Sequence, residues 1–248
     1  MKKRLIAIGA VLFWLIVWQL AAVAVNSSLL LASPIEVVQR LIELVPDKKF
    51  FGSVLFTTGR IMLGALLGTV TGIVFAVLAG RFIFFEKLFA PLITAVKAVP
   101  VASFTILALI WITSSGLSVL ITFLIALPVV YSNIFEGIRA LDPELTVMAE
   151  VFRIPLFKRF VGVYLSQMMP YFRSAVKLAV GLCWKSGVAA EVIGTPRGSI
   201  GEKLYASKIY LETADLFAWT LVVILLSLIT EKLFILIIDL TAKRIEKL

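Results

Sequence analysis

The sequence of 248 residues contains no histidine, only one cysteine and few charged residues. Without histidine, and with Cys183 alone, the chain lacks the usual ligand sets for zinc and haem, and it cannot form an internal disulfide. It also has no Asp-Asp-x-x-Asp cluster and no Gly-x-x-x-x-Gly-Lys-Ser/Thr phosphate-binding loop. We therefore expect no cofactor and no enzymatic activity in this chain, and any ATP-driven work must be done by a partner.

Charge is scarce relative to apolar surface. Charged residues make up 16% of the chain and hydrophobic residues 61%, and the mean hydropathy is +1.06. A soluble domain has roughly 45–50% apolar and about 25% charged residues. The polar side chains are too few to cover a water-soluble surface, so lipid must solvate much of the exterior. The net charge of +9 lies mainly between long apolar runs, which speaks against a nucleic-acid partner.

Six apolar runs are long enough to cross a bilayer, which takes about 20 residues of helix. They predict an all-α membrane protein with six transmembrane helices in one domain that covers residues 1–248. The first run follows Lys2-Lys3-Arg4 and contains Ala22-Val23-Ala24, which resembles a cleavable secretory signal. Because this run is long enough to span, we interpret it as an uncleaved first helix, with cleavage as the alternative. The predicted spans are 5–25, 54–79, 88–112, 117–135, 170–193 and 214–240.

The second run carries Gly64, Gly68 and Gly72 at four-residue spacing. Glycines at this spacing form one flat helix face that a neighbouring helix can approach closely. The pattern predicts helix packing and says nothing about transport.

Basic residues in the loops indicate the sidedness of the chain. Twelve lie on one side and six on the other if the N-terminus is inside, which predicts that both termini are cytoplasmic. Between the first two spans, Ser33-Pro34 begins a short external amphipathic helix. The inner set is Lys2, Lys3, Arg4, Arg81, Lys87, Arg139, Arg153, Lys158, Arg159, Lys243, Arg244 and Lys247, and the outer set is Arg40, Lys48, Lys49, Arg197, Lys203 and Lys208.

The longest predicted cytoplasmic segment, 136–169, has the signals of two short helices. Asp142-Pro143-Glu144 supplies a cap, a proline at the first helical position and an acid in the first turn, so a helix is expected to run to about Phe152. Pro155 then interrupts, and Lys158-Arg159 is expected to begin a second amphipathic piece that ends before Pro170. Two helices held against the inner face would form a docking surface.

Motifs in a fixed order along nearly the whole chain resemble those of one transporter family. The sequence is similar to the permeases of binding-protein-dependent ABC importers, particularly the nitrate/sulfonate/taurine-type branch. The resemblance rests on Ser33-Pro34, Thr58-Gly59-Arg60, Lys97-Ala98-Val99-Pro100, Glu136-Gly137-Ile138-Arg139-Ala140-Leu141-Asp142-Pro143-Glu144-Leu145, Ala189-Ala190-Glu191-Val192-Ile193-Gly194 and Gly198-Ser199-Ile200-Gly201.

The family's cytoplasmic Glu-Ala-Ala box is degenerate in this chain. Val147-Met148-Ala149 takes its place, and Arg153 stands where the family has a glycine that allows the chain to turn. We expect Ile154-Pro155 to make that turn instead. The resemblance implies contacts with an ATPase subunit through Asp142, Glu144, Val147, Ala149, Glu150 and Arg153.

The resemblance implies an assembly of several subunits in a bacterial cytoplasmic (inner) membrane, one of them outside that membrane. Two permease copies, identical or different, would enclose a pathway, with cytoplasmic ABC ATPase subunits and an external solute-binding protein as partners. A self-sufficient secondary carrier or channel is the alternative, although carriers often show inverted repeats and the two halves of this chain show no convincing repeat.

Polar residues of the fifth predicted span are candidates for the pathway. Steps of three and four place six of them on one helix face, and Lys185 flanks that face. Pathway lining, structural ion pairing and snorkelling are all open readings. With Lys97 of the third span, Lys185 would suit an anionic substrate such as an oxyanion, so the predicted pathway residues are Lys97, Trp184, Lys185 and Glu191. The six residues of the face are Arg173, Lys177, Gly181, Trp184, Val188 and Glu191.

Overall fold

The computed structural model describes residues 2–245, except the side chains of residues 2–4, 7 and 243–245, and this part of the chain contains helices and no strand. The α-helices are α1 (Lys2–Val25), α2 (Pro34–Leu44), α3 (Lys48–Arg81), α4 (Ile83–Ala98), α5 (Val101–Ala108), α6 (Ser114–Arg139), α7 (Pro143–Val151), α8 (Leu156–Arg159), α9 (Ser166–Gly194), α10 (Ile200–Ile209) and α11 (Thr213–Ile245). A π-helix, Phe160–Leu165, joins α8 to α9.

Both short helices predicted from their caps are present. Ser33 caps α2 through a reciprocal pair of hydrogen bonds with Glu36, because the Ser33 amide donates to Glu36 Oε2 at 2.7 Å and the Glu36 amide donates to Ser33 Oγ at 3.3 Å. Asp142 caps α7 by accepting from the Glu144 amide at 2.8 Å. Arg40 on α2 pairs with Asp215 at the start of α11, and this hydrogen bond raises the pKa of Arg40.

The centre of the fold is a close contact between α3 and α6. Gly64, Gly68 and Gly72 are buried against α6, as their spacing predicts. A Cβ atom added to Gly68 would lie 2.6 Å from the carbonyl oxygen of Phe123, and one added to Gly72 would lie 2.8 Å from that of Leu127. The two backbones therefore touch with no side chain between them.

Helix α9 completes this core by packing against both α3 and α6. At Gly187 an added Cβ would lie 2.7 Å from Ile61 on α3 and 2.8 Å from Thr122 on α6. The Cys183 thiol donates to the Thr122 carbonyl oxygen at 3.4 Å. Helices α10 and α11 also pack on α9. The three helices α3, α6 and α9 thus share one interior.

Four described helices are long and apolar enough to cross a membrane, and they correspond to the first, second, fourth and sixth predicted spans: α1, α3, α6 and α11. The predicted span 170–193 also forms a helix, as part of α9, but its charged residues exclude it from this apolar group. Six crossings and cytoplasmic termini thus stay predictions. The side chains of Lys2, Lys3, Arg4, Lys243 and Arg244, and all of Lys247, lie outside the described residues.

The predicted span 88–112 is interrupted by a sharp bend. Helices α4 and α5 meet there at 97°. Val99 is extended, with φ −72° and ψ 125°, and Pro100 begins α5. Proline disfavours a helical conformation in the residue before it and has no amide hydrogen to donate, so the helix ends at Ala98.

The cytoplasmic piece predicted to end before Pro170 is also longer than expected. From Leu156 the chain continues through α8 and the π-helix directly into α9, and Pro170 lies inside α9. As the fifth residue of α9, Pro170 removes a single backbone donor near the beginning of the helix, and membrane helices tolerate such a loss.

The α3–α6 contact predicts opposite outcomes for one substitution at two glycines of α3. Gly64→Ala should destabilise the protein by about 1–3 kcal/mol, because its Cβ would overlap Thr122 Oγ1 and the Val119 carbonyl oxygen. Gly59→Ala is the matched control, since nothing lies within 4 Å of its added Cβ, and it should be neutral or stabilising by up to about 1 kcal/mol. Thermal unfolding in detergent measures both, and equal melting temperatures would contradict the contact.

Candidate functional site

Two of the predicted pathway residues lie inside the chain's own core. Trp184 and Glu191 are both fully buried. The Trp184 indole N–H donates to Thr230 Oγ1 on α11 at 2.8 Å. The α9 face that is exposed at Lys177 is therefore covered at Trp184 and Glu191, where α10 and α11 pack on it.

Glu191 holds three helices together. Its Oε2 accepts from Thr57 Oγ1 of α3 at 2.7 Å and from the Gly201 amide of α10 at 3.3 Å. Thr57 Oγ1 in turn accepts from the Ile200 amide at 2.9 Å. Gly201 is required at this position, because an added Cβ would overlap the Cβ and the carbonyl carbon of Glu191.

The buried Glu191 carboxyl group is held by hydrogen bonds and not by a basic side chain. Among the described residues no lysine or arginine forms an ion pair with Glu191. The amides of Ile200 and Gly201 belong to the first turn of α10, where the unpaired N–H groups carry partial positive charge. Glu191 Oε1 and Ser118 Oγ, by contrast, are buried without a hydrogen-bond partner.

The other two predicted pathway residues, Lys97 and Lys185, are exposed. Lys97 Nζ donates to Ser132 Oγ of α6 at 2.6 Å. Lys185 belongs to a continuous exposed stripe along α9 that contains three cations. Arg173 in this stripe pairs with Asp239 of α11 at 3.0 Å. The stripe comprises Ser166, Pro170, Arg173, Ser174, Lys177, Leu178, Leu182, Lys185, Ala189 and Ile193.

The exposed surface of α3 differs sharply from this stripe. Between residues 63 and 77 every exposed position of α3 is leucine or valine: Leu63, Leu66, Leu67, Val70, Val74 and Val77. A charge at the bilayer centre costs about 2.5–3.5 kcal/mol on the insertion scale. The α3 surface therefore suits acyl chains, whereas the α9 stripe suits water or another protein surface.

The predicted coupling residues lie on or beside α7, at the end of the fold that is predicted to be cytoplasmic. Ala149 is fully buried, whereas Asp142, Glu144, Val147, Glu150 and Arg153 are exposed. The Asp142 amide donates to Gln167 Oε1 at 2.9 Å, which ties the start of α7 to α9.

A second connection runs from α7 to the π-helix. Glu150 pairs with Arg159 at 2.7 Å, and Arg159 also donates to the Tyr164 hydroxyl at 3.0 Å. The hydrogen bond that Arg159 donates to Glu150, followed by the one that it donates to Tyr164, raises the pKa of Arg159. Glu150 thus positions α7. One of its carboxylate oxygens is held by Arg159, so only the other can contact a partner.

The turn after α7 is made by Arg153, and the prediction that Ile154-Pro155 makes it is wrong. Arg153 has φ +50°, in the left-handed region that favours glycine. Its amide donates to the Glu150 carbonyl oxygen at 2.9 Å, and the Ile154 amide donates to the Ala149 carbonyl oxygen at 3.0 Å. These two bonds form a Schellman motif. Arg153 thus adopts the left-handed conformation that glycine usually takes, and its Cβ atom makes this conformation sterically unfavourable.

Sequence reasoning missed an exposed apolar surface next to these residues. It consists of Val151, Phe152, Leu156 and Phe157, whose side chains are 72–82% exposed. The signal that could have revealed this surface is the presence of large apolar residues in a segment predicted to be cytoplasmic. Exposed apolar surface of this kind is typical of a site that contacts another protein or the membrane. We call it the cytoplasmic apolar surface.

Comparisons with known proteins agree with this architecture. A family model described as "Binding-protein-dependent transport system inner membrane component" matches residues 68–247. SsuC of Bacillus subtilis (strain 168), named for aliphatic sulfonates transport, is 27% identical over 217 residues, which cover 87% of this chain and 78% of SsuC. The nitrate import permease NrtB of Leptolyngbya laminosa is 24% identical, covering 71% of this chain and 66% of NrtB. The formylaminopyrimidine transport permease ThiX of Halalkalibacterium halodurans is 25% identical, covering 80% of each chain.

The strained turn at Arg153 predicts a stabilising substitution. Arg153→Gly should raise the stability by about 1–2 kcal/mol, because it removes the steric cost of a Cβ in the left-handed conformation. Lys158→Gly is the control, since it also replaces an exposed basic residue but lies in right-handed α8, where glycine costs roughly 0.5–1 kcal/mol. Thermal unfolding should shift in opposite directions for the two variants. A lower melting temperature for Arg153→Gly would show that the turn does not strain the chain.

Proposed function

Because the chain belongs to the family of inner membrane components of binding-protein-dependent transport systems, and so is a multi-pass ABC importer permease of the nitrate/sulfonate/bicarbonate branch, we propose that two copies enclose a translocation pathway. The observation that carries this proposal is the cationic exposed stripe of α9. A second copy facing the stripe would remove Lys177 and Lys185 from lipid and place them along a shared aqueous path. In this arrangement Trp184 and Glu191 do not line the pathway. They lie on the buried side of α9 and fix this helix against α3, α10 and α11.

Energy would come from cytoplasmic ATPase subunits that dock on α7 and the cytoplasmic apolar surface. The relevant contacts are Val147, which is 57% exposed, and the apolar residues that follow α7. Ala149 is buried and Glu150 is held by Arg159, so these two shape the docking surface more than they touch a partner. An external solute-binding protein would deliver the substrate.

A small oxyanion is the proposed substrate. Lys97 and Lys185 offer exposed ammonium groups, and relatives are named for sulfonates, nitrate and bicarbonate. The formylaminopyrimidine relative shows that such names extend to substrates of other chemistry. The lysines, rather than the names, therefore carry the assignment.

Docking of an ATPase predicts a specific effect of Phe152→Ser. Loss of an exposed aromatic anchor at the centre of an interface typically costs about 2 kcal/mol or more, so copurification of the ATPase subunit should fall at least tenfold. Phe84→Ser is the matched control, because Phe84 is 67% exposed against 73% for Phe152 but lies at the start of α4. Charge reversal at Glu150 is a less specific test, since it also breaks the bond to Arg159.

The same purified components separate the importer from a self-sufficient carrier. Proteoliposomes with the permease alone should show no uptake, and uptake should begin only when the ATPase, ATP and the binding protein are present. Uptake by the permease alone would favour the secondary carrier or channel.

An anionic substrate predicts that Lys185→Gln impairs transport without impairing assembly. Removing one charged hydrogen-bond donor should raise the KM for uptake about tenfold. The assay uses labelled nitrate, bicarbonate or an alkanesulfonate, according to what the binding protein carries. Lys87→Gln, an exposed cation on α4, should leave the KM unchanged. Equal KM values for both variants would remove Lys185 from the pathway.

A further inference from the structure

A large apolar cavity lies at the cytoplasmic end of the fold, apart from the α9 stripe. Its volume is about 720 Å³, and it is bounded by α3, α6, the π-helix, α9 and α11. Among the described residues that line it, Arg81 is the only charged one. The apolar lining includes Ile73, Val77, Ile134, Ile138, Met168, Met169 and Phe172.

The cavity opens to the surface of the chain through an apolar rim. Val77 and Phe160 line it and are 52% and 58% exposed. Val77 belongs to the leucine and valine surface of α3 that suits acyl chains. The opening is therefore continuous with the lipid-facing side of the protein, at the depth where α3 reaches its last residue, Arg81.

The chemistry of this lining selects the occupant. A hydrated oxyanion would lose its solvent in an apolar cavity and gain little in return. An acyl chain gains by entering, because its apolar surface and that of the lining leave water together. Arg81 forms no ion pair with any described residue and stands at the cytoplasmic rim, where anionic headgroups lie.

We propose that this cavity binds an anionic phospholipid of the inner leaflet. One acyl chain fills the space between α3, α6 and α9, and the headgroup phosphate accepts hydrogen bonds from the Arg81 guanidinium. The site is distinct from the α9 stripe, and lipid binding there does not depend on the proposed transport function. The effect of the lipid on α7 rests on that proposed function.

The bound lipid would touch the connection to α7. Tyr164 lines the cavity with its ring, and its hydroxyl accepts from Arg159, which pairs with Glu150 of α7. A chain packed against Tyr164 would hold this side chain in place and, through it, the coupling helix. Anionic lipid would then favour the arrangement of α7 that docks the ATPase.

The test measures lipid retention by the purified chain with native mass spectrometry. Samples are prepared from vesicles that contain equal amounts of phosphatidylglycerol and phosphatidylcholine. Wild-type protein should retain phosphatidylglycerol preferentially. Arg81→Gln should reduce that preference about fivefold, the effect of one basic residue near anionic lipid, while Lys87→Gln leaves it unchanged.

A second pair of variants tests the cavity itself. Met168→Trp places a larger side chain in the cavity and should reduce retention of both lipids, whereas Val70→Trp, on the exposed surface of α3 outside the cavity, should not. Gel filtration confirms that each variant is folded, and Arg81→Gln tests the headgroup independently of packing. Equal retention of both lipids by wild type and Arg81→Gln would overturn the proposal. So would loss of dimer with unchanged lipid in Met168→Trp, which would assign the cavity to a second copy.

Discussion

The contact between the backbones of α3 and α6 is the constraint on which the other helices depend. Lipid removes the hydrophobic drive that brings helices together in water, so membrane helices associate through close packing. Gly64, Gly68 and Gly72 provide that packing by leaving no side chain between the two backbones. Gly187 then lets α9 rest on Ile61 and Thr122 at once, which sets the depth and rotation of α9.

The rotation of α9 separates its polar residues into two environments. Glu191 is turned inward, where its carboxyl group accepts from the Gly201 amide of α10 and from Thr57 of α3. Thr57 in turn accepts from the Ile200 amide. Lys177 and Lys185 are turned outward, on the exposed stripe of α9. Helix α9 can thus hold α10 in place through a buried carboxyl group and present cations on its exposed surface.

Three features meet at the end of the fold that carries α7. The cavity, the π-helix and α7 meet through Tyr164, Arg159 and Glu150. A single π-turn inside a helical stretch often marks a functional position, because it changes the direction of the side chains that follow. Here it connects the lipid-facing cavity with the surface proposed to receive the ATPase.

Local chemistry in the sequence was sufficient to predict much of this protein. Of the six spans that the apolar runs predicted, four correspond to long apolar helices among the described residues. Ser33 and Asp142 predicted the starts of α2 and α7, and glycine spacing predicted the packed face of α3. Ordered motifs indicated the family. Only the tertiary structure decided the 97° bend before α5, the left-handed turn at Arg153 and the burial of Glu191 beside exposed Lys185. Helical periodicity places residues on a face of one helix. The neighbouring helices that cover this face come from distant parts of the chain. Burial and turn geometry therefore depend on packing that no local sequence pattern contains.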